Sequence, residues 1–283
     1  MSEKQAEWDW EIKTQTTWLG ASYKELYAYK DLMFRLVRKD FLTSYQQTLL
    51  GPLWVLLQPI LTVIIYVLVF YKMLGGKTDG VPPFLYYLIG ITLWNLFSDV
   101  FINTASTFSQ NARIFSKVYF PRIIVPISVM VVHSTRFLIQ LLLLVIVLFY
   151  YFFMGDVKLH IGGALWALPA VIFTAMIGLG AGLIFSILTA KYRDLLSMVN
   201  LMMRLLMFVC PIFYSVQNVN QKYKWLVYLN PLSSPFELFR YSFIGTGEVS
   251  LIHLAYSALT TVVLVAAGVL FFNKMGDKLI DVI

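Results

Sequence analysis

The hydrophobic residues of this chain are concentrated in six long runs, which short polar segments separate. A helix of roughly 20 apolar residues crosses a hydrocarbon core of about 30 Å, and each run reaches that length. The third run is longer than the bilayer requires, so we expect its first residues, near 121–126, to lie outside the hydrocarbon or the helix to tilt. We predict an all-α integral membrane protein with no soluble domain between its spans. The predicted spans are about 52–73, 83–104, 123–153, 164–190, 195–216 and 250–272.

An amphipathic pattern precedes the first run. Ser22 followed by Glu25 has the spacing of a capping box, which starts a helix. The apolar stripe recurs with the helical period and comprises Tyr29, Leu32, Met33, Leu36, Val37 and Phe41. The basic residues of the other face are Lys30, Arg35, Arg38 and Lys39. We predict an interface helix that lies along the membrane surface, with its stripe in the bilayer and its cations among the headgroups.

A tight elbow joins the interface helix to the first span. Gly51 permits a bend that other residues resist, and Pro52 suits the first turn of the helix that follows. A basic helix beside the membrane with no special role is the alternative interpretation.

The segment 217–250 is too polar to span the membrane and too apolar to be a free loop. Its aromatic and leucine residues form two patches, and Pro231 and Pro235 separate short helical pieces. We predict two short helices that re-enter the outer leaflet, where protein or a water-lined cavity surrounds them. Glu237 and Arg240 are three residues apart and can neutralise each other. An inert interfacial hairpin is the alternative.

Composition agrees with a polytopic membrane protein. Of 283 residues, 59% are hydrophobic and only 13% are charged, about half the charged fraction of soluble domains. The net charge of +7 comes from short segments between the apolar runs, which indicates topology and anionic lipid, and no nucleic acid as a partner. Cys210 is the single cysteine, so no internal disulfide can form, and metal-site spacings are absent.

The distribution of lysine and arginine predicts the orientation. Basic residues precede the first span, lie between the second and third and between the fourth and fifth, and follow the sixth. The opposite loops carry fewer cations. The bias predicts that both termini are cytoplasmic, and the polar residues 1–13 contain no cleavable signal peptide.

The cytoplasmic loop between the second and third spans has a helical pattern of its own. Its apolar residues Ile114, Phe115, Val118 and Tyr119 recur beside Arg113 and Lys117, and Pro121 ends the helix. A short helix with an apolar and a basic face suits docking into the groove of a partner protein. A solvated connector lying on headgroups is the alternative.

Small and charged residues inside the runs have separate interpretations. Gly178, Gly180 and Gly182 lie within one apolar run, so we expect close helix packing rather than a nucleotide fingerprint. Arg204 lies well inside the fifth run and should face protein or a water-filled path. Asp99, His133 and Arg136 invite the same argument more weakly, because each can lie near the inner interface.

Aromatic side chains are numerous in the first, second and fifth runs. The default role of each is an interfacial belt or a lipid-facing position. If these helices line a path, the rings and phenol hydroxyls would give sugar residues weak, sliding contacts. The candidates for such a glycan path are Tyr66, Phe70, Tyr86, Tyr87, Trp94, Phe97, Phe213 and Tyr214.

Taken together, the motifs resemble the membrane subunit of an ABC exporter of the ABC-2 type, in the group that exports O-antigen, teichoic acid or capsule polysaccharides. The resemblance covers nearly the whole chain. It rests on Glu25-Leu26, residues 29–32, residues 38–40, Tyr45, residues 48–54, Gln58-Pro59, residues 117–122, Pro126, residues 191–194, Pro211-Ile212, Tyr214, Asn230-Pro231, Glu237 and Arg240.

The resemblance implies a homodimer in the bacterial inner membrane, with a cytoplasmic ATPase dimer docked on the loop between the second and third spans. Residues 1–48 would be a cytoplasmic segment with the interface helix, and 49–283 the six-helix domain, with a coupling loop at 105–122 and an outer gate region at 217–249. The chain would need no cofactor and catalyse no reaction, since ATP and Mg²⁺ belong to the partner. Gly76-Lys77-Thr78 is not part of a phosphate-binding loop here, because Tyr71 stands where its first glycine is required.

The resemblance also assigns roles to particular residues. The ATPase-coupling residues would be Arg113, Ile114, Phe115, Lys117, Val118, Tyr119 and Arg122. A polyprenyl-diphosphate-linked glycan would enter beside Arg35, Arg38, Lys39, Leu50 and Gly51, where the cations can meet diphosphate oxygens. The outer gate would comprise Asn230, Pro231, Glu237 and Arg240.

Three other functions remain open at this point. An ABC-2 exporter of drugs or lipids would share these motifs. A proton-coupled carrier usually has ionisable relays in the middle of the membrane, whereas carboxylates are nearly lacking in these spans and Asp99 is the main one. An enzyme acting on glycans in the membrane would need paired acids or a histidine cluster, but His133, His160 and His253 are on different segments.

Overall fold

The computed structural model describes residues 23–115, 120–192 and 194–280, and these residues form helices and turns without a strand. The α-helices are α1 (Tyr23–Ala28), α2 (Lys30–Tyr45), α3 (Trp54–Tyr66), α4 (Pro83–Ala105), α5 (Thr107–Phe115), α6 (Ile124–Phe153), α7 (Ala167–Lys191), α8 (Leu195–Val209), α9 (Gln221–Leu229), α10 (Ser233–Ile244) and α11 (Leu251–Ile280). Short 3₁₀ segments precede α3, α7 and α9 at Gly51–Leu53, Ile161–Trp166 and Val216–Asn218, and α3 continues as a π-helix over Val67–Met73.

Five of the helical segments are long and apolar enough to cross a membrane. They are Gly51–Met73, Pro83–Ala105, Ile124–Phe153, Gly162–Lys191 and Leu251–Met275. They correspond to five of the six predicted runs, which confirms a helical membrane protein with several spans.

The fifth predicted run forms a shorter helix than expected. Helix α8 has 15 residues, a length of about 22 Å at 1.5 Å per residue, which is less than a hydrocarbon core. It ends at Val209 because Cys210 is extended and Pro211 has no backbone N–H to continue the helix. The sequence predicted a span over 195–216 interrupted at Pro211, and the helix ends two residues before that proline. A sixth span is not among the helices of spanning length in the described residues.

Helix α4 is the buried axis of the bundle. In its most apolar stretch 78% of the residues are buried, against 17% for the first and for the last span. It packs on α6, α7, α3 and α10, and α7 in turn packs on α11. Much of the outer surface of α3, α6, α8 and α11 is apolar and uncovered.

The glycines of α7 let it approach two neighbours, as predicted. A Cβ on Gly182 would lie 2.6 Å from the Cβ of Thr104 in α4, and one on Gly180 would lie 2.7 Å from the backbone of Leu264 in α11. Since real Cβ atoms do not come so close, any side chain at either position would force the helices apart.

The interface helix is divided and packs on protein. Tyr29 has non-helical backbone angles and separates α1 from α2, and Ser22 of the predicted capping box lies outside the described residues. The apolar stripe of α2 contacts α6, and Leu36 is buried. Leu36 therefore meets protein rather than lipid. The rest of the stripe is partly exposed, and its entry into the bilayer stays a prediction.

Candidate functional site

The predicted gate pair forms a buried ion pair on α10. Arg240 Nη1 donates to Glu237 Oε1 at 2.6 Å, and the two side chains are 1% and 0% exposed. Arg240 Nη2 donates to the backbone carbonyl of Pro211 at 2.6 Å, and the guanidinium lies 4.2 Å from the ring centroid of Tyr86. The arginine therefore joins α10 to the break after α8 and to α4.

The same pair is attached to the loop before α11. The backbone N–H of Glu248 donates to Glu237 Oε2 at 2.9 Å. The Glu248 carboxylate in turn accepts from Lys224 Nζ of α9 at 2.7 Å. The hydrogen bond from Lys224 lowers the pKa of Glu248, against an opposing effect of burial. We name this network the outer latch, after the outer gate predicted for this region, and define it as Pro211, Lys224, Glu237, Arg240 and Glu248.

Asn230 and Pro231, the other predicted gate residues, lie between α9 and α10. Asn230 Nδ2 donates to Cys210 Sγ at 3.2 Å, and its Oδ1 accepts from the backbone N–H of Leu232 at 3.1 Å. The carbonyl of Pro231 accepts from the Ser257 hydroxyl of α11 at 2.7 Å. All four predicted gate residues thus lie in one network around the end of α8.

The predicted glycan-path aromatics separate into two groups. Those of α4 are enclosed within the chain, with exposed fractions between 0% and 5%: Tyr86, Tyr87, Trp94 and Phe97. The others lie where the end of α3 meets the break after α8. The Phe70 and Phe213 rings stack at 4.2 Å, and the Tyr66 ring lies 4.9 Å from that of Phe213. Tyr66, Phe70 and Tyr214 are only partly buried.

The coupling loop is described in part. Lys117, Val118 and Tyr119 lie outside the described residues, as does the side chain of Arg113. Phe115 is 8% exposed, and its ring lies 5.5 Å from that of Phe108 and 5.8 Å from that of Phe120. Phe115 therefore packs within the loop, and Phe108 joins α5 to α11 through its ring contact with Phe272 at 4.9 Å. Ile114 and Arg122 are partly exposed.

The elbow after α2 exposes an apolar side chain, and the neighbouring cations of α2 are exposed as well. Gly51 has φ +52°, a left-handed conformation that disfavours side chains. Leu49 is 99% exposed, and Leu50 is half-buried. The cations predicted to meet a diphosphate remain on the exposed side of α2: Arg35, Arg38 and Lys39, the last with Asp40 at 3.2 Å.

A polar cluster at the elbow was only partly foreseen. Asp99 Oδ2 of α4 lies 3.6 Å from His133 Nδ1 of α6, and the Arg136 guanidinium lies 5.4 Å from the Tyr45 ring centroid of α2. Burial raises the pKa of Tyr45, and Arg136 opposes that shift. The sequence indicated this cluster only through three ionisable residues, Asp99, His133 and Arg136, within apolar runs. Nothing in the sequence except its place in a family motif indicated that Tyr45 would take part.

Gln140 extends this cluster toward α3. It accepts from Asn95 Nδ2 at 3.2 Å and donates to the carbonyl of Val55 at 3.5 Å. The interface helix, the first span and α6 therefore share polar contacts on one side of α4.

Arg204 lies on an exposed side of α8, among uncovered apolar residues such as Leu201, Leu205 and Phe208. No residue of the described chain covers this face. Among the residues that the structure describes, no three His, Cys, Asp or Glu side chains come together as a possible metal site.

The sequence of this helical membrane protein is similar to that of known transport proteins. The family model of the ABC-2 type transporter matches residues 31–244. An O-antigen export system permease protein, RfbA, of Klebsiella pneumoniae is 30% identical over 254 residues, which are 89% of this chain and 95% of the relative. The RfbA permease of Myxococcus xanthus is 26% identical over 222 residues, 75% of this chain and 79% of the relative. Because the family model covers most of the chain, and the geometry is that of a helical membrane subunit, the protein belongs to the ABC-2 type transporter family.

Proposed function

We propose that this chain is the membrane subunit of an ATP-driven exporter that moves a polyprenyl-diphosphate-linked polysaccharide, similar to O-antigen, from the cytoplasm across the inner membrane. The observation that carries the proposal is the similarity to O-antigen export permeases over 89% of the chain. A separate ATPase dimer hydrolyses ATP, and this chain acts as the transport permease.

Two copies of the chain form the conduit. The outward faces of α3 and α8 are uncovered and apolar, and α8 also carries Arg204. An arginine facing lipid near the centre of the bilayer costs about 3 kcal/mol on insertion scales. A second copy and a water-filled path remove that cost. We further propose that α8 and the segment 210–218 together make the sixth crossing.

The outer latch closes the conduit on the outer side. Helix α10 is almost wholly buried, and Arg240 ties it to Pro211 at the end of α8. If α8 moves, either the hydrogen bond between Arg240 and Pro211 breaks or α10 moves together with α8. Helices α9 and α10 act as the re-entrant gate, and the latch resists opening until ATP binding drives the inner side.

Two elements on the inner side prepare and drive transport. Arg35, Arg38 and Lys39 are exposed beside the elbow and offer charge-assisted hydrogen bonds to a diphosphate. The partner ATPase docks on the loop 105–122. The rings of Phe115, Phe108 and Phe120 pack together within the loop, and Phe108 stacks on Phe272 of α11 at 4.9 Å. This contact supports the role, because it links the loop directly to a membrane span.

The polymer slides over the partly exposed aromatics. Tyr66, Phe70 and Tyr214 lie at the junction of α3 with the break after α8, and they are the path aromatics that a sugar can reach in this conformation. The aromatics of α4 stiffen the wall from within.

The direct test is to deplete the chain and identify what accumulates. We expect depleted cells to lose surface polysaccharide and to collect its polyprenyl-diphosphate-linked precursor at the inner face. If depletion leaves the surface polymer unchanged and the cells retain a drug or an unglycosylated lipid instead, the result would favour the alternative function, an ABC-2 exporter of drugs or lipids.

A further inference from the structure

A polar cleft opens at the ends of α3, α4 and α6, on the side of the chain that carries the outer latch. Its volume is about 680 Å³, which is within the range of small-ligand sites. Its lining comes from three separate segments: Tyr71 of the π-helix, residues 76–82 of the following loop with Pro83 at the start of α4, and Asp156 after α6. We call this the outer cleft.

The loop that forms the cleft floor is fixed by hydrogen bonds. The backbone N–H of Gly76 donates to the carbonyl of Phe70 at 2.8 Å, and that of Val81 donates to Thr78 at 2.9 Å. The Thr78 hydroxyl donates to the carbonyl of Val81 at 2.7 Å. A Cβ on Gly76 would lie 2.6 Å from the carbonyl oxygen of Phe70, so the loop approaches α3 as closely as glycine allows. The cleft is therefore preformed.

The cleft is also joined to the gate region. Asn218 Nδ2, in the short helix before α9, donates to Asp79 Oδ1 at 2.7 Å. The contact attaches one wall of the cleft to the segment that leads from α8 into α9. A ligand in the cleft would therefore lie beside the gate.

Hydrogen-bonding capacity remains unused at the floor. Asp79 Oδ2 is buried without a partner among the described residues. The Tyr87 hydroxyl is likewise buried without a partner, on a side chain that is 0% exposed, and it lies 3.3 Å from the Cβ position of Gly76. Buried polar atoms are normally hydrogen-bonded. Asp79 belongs to the lining of the cleft, whereas Tyr87 lies behind it, so the unused oxygen of Asp79 is the one that a ligand or water in the cleft can satisfy.

The charges of the lining select the class of ligand. The carboxylates of Asp79 and Asp156 disfavour an anion, and the ammonium of Lys77 disfavours a cation. A divalent cation such as Ca²⁺ favours several carboxylates in one site, whereas no three His, Cys, Asp or Glu side chains come together among the described residues and Lys77 adds a positive charge here. The remaining class is a neutral, polyhydroxylated molecule, whose hydroxyls donate to the carboxylates and accept from the ammonium.

Tyr71 completes the chemistry of a sugar site. Tyr71 is 41% exposed and lines the cleft, so part of its side chain is accessible to a ligand there. An aromatic face packs against the apolar C–H face of a pyranose, while its hydroxyls bond to the neighbouring polar groups.

We propose that the outer cleft is a saccharide-binding subsite that holds one or two sugar residues of the exported polymer as it leaves the gate. The identity of the polymer rests on the proposed function, whereas the cleft itself rests on the residues above. Binding on the outer side makes the exported polysaccharide less able to slide back toward the cytoplasm between ATP cycles.

The experiment is a titration of the complex with its ATPase in nanodiscs. The probe is a set of oligosaccharides of two to six sugars, cut by mild acid from the surface polysaccharide of cells that express this chain. Saturation-transfer NMR reports the bound sugar protons. We expect saturable binding with a Kd on the order of 1 mM, as suits a shallow site.

Two variants and two matched controls decide where the sugar binds. Tyr71→Ala removes the ring, and the double variant Asp79→Asn with Asp156→Asn removes both charges while Asp79 keeps an oxygen for Asn218. Each should weaken binding about tenfold. The controls Tyr223→Ala and Asp31→Asn remove an exposed ring and an exposed carboxylate elsewhere, and they should change the Kd by less than about twofold.

Three results would overturn the cleft proposal: no saturable binding to the unmodified complex, equal binding by the complex and both variants, or calcium binding at the same residues without sugar binding. Export of the polysaccharide by a complex that does not bind its oligosaccharides would remove the cleft and leave the proposed function standing. If the complex binds the oligosaccharides but its depletion leaves the surface polymer unchanged, the cleft proposal would stand and the proposed function would fall.

Discussion

Removing Arg240 alone should destabilise the protein severely. Replacement of Arg240 by Met keeps much of the side-chain volume and removes three interactions. These are the hydrogen bonds to Glu237 and to the carbonyl of Pro211, each 2.6 Å long, and the contact with the Tyr86 ring. The Glu237 carboxylate then stays 0% exposed, with the backbone N–H of Glu248 as its remaining described donor.

The magnitude follows from that stranded charge. Breaking a buried ion pair by removing one partner costs about 3–5 kcal/mol, because the other charge is left without compensation. For a domain of 150–250 residues, 1 kcal/mol shifts the melting temperature by about 2–4 °C. This chain is slightly longer, so the lower part of that range, about 2–3 °C per kcal/mol, applies, and Arg240→Met should lower the melting temperature by about 6–15 °C.

A double-variant cycle separates loss of the pair from loss of packing. Glu237→Gln keeps an oxygen for the N–H of Glu248 and removes the charge. The combination of Arg240→Met with Glu237→Gln has no stranded carboxylate, so it should be more stable than Arg240→Met by at least about 1 kcal/mol. Thermal unfolding in nanodiscs, followed by the fluorescence of the seven tryptophans, measures each variant. Arg35→Met, at an exposed arginine of α2, is the matched control and should change stability by less than about 0.5 kcal/mol.

The cycle can refute the reasoning in two ways. A melting temperature for Arg240→Met within about 2 °C of the unmodified protein would mean that the pair is solvated or remade in the membrane. A double variant less stable than Arg240→Met would mean that the arginine acts by packing and the carboxylate is not stranded.

Three further predictions concern coupling, the path and the latch. Charge reversal at Arg113 and Lys117 together should weaken association with the ATPase and uncouple hydrolysis from export; unchanged co-purification and export would remove the docking role. Tyr66→Ala should slow export by about threefold to tenfold with normal expression of the dimer, since one stacking contact is worth about 1 kcal/mol, and a normal surface-polymer chase would argue against the aromatic path. Because Lys224 lowers the pKa of Glu248 below 4.5, their contact adds stability above that pH and loses it as the pH falls through the lowered pKa. As the pH is lowered below 4.5, the melting temperature of Glu248→Gln should therefore fall less than that of the unmodified protein. An equal fall in melting temperature for the two proteins would contradict this.

Hydropathy predicted the spans because apolar length is a local property. Five runs became helices of spanning length, and the two short helices of the 217–250 segment formed where the pattern placed them. The fifth run is interrupted near Pro211, as its sequence predicted, and its helix ends at Val209.

Burial within a membrane bundle is harder to predict, because lipid-facing and core-facing residues are equally apolar. Tyr86 and Trp94 lie in an apolar run like the runs that carry exposed aromatics, yet both are buried because other helices surround α4. The apolar stripe of α2 suggested a lipid contact, whereas α6 meets Leu36 first. Only the arrangement of helices decides such cases.

Polar networks that join distant segments also escape sequence reasoning. The spacing of Glu237 and Arg240 predicted their pairing, but nothing local indicated that Pro211 would accept a hydrogen bond from the arginine. Asp79 and Asn218 are 139 positions apart, and their contact forms one wall of the outer cleft. These contacts depend on tertiary structure alone.

The central claim is that two copies of this chain form a conduit whose energy comes from a separate ATPase. The most direct measurement is translocation of the lipid-linked polysaccharide in proteoliposomes that contain the chain with or without its ATPase. The account predicts that transport needs both proteins and ATP, and that it stops with a non-hydrolysable analogue. Transport against a gradient by this chain alone, without nucleotide, would contradict it.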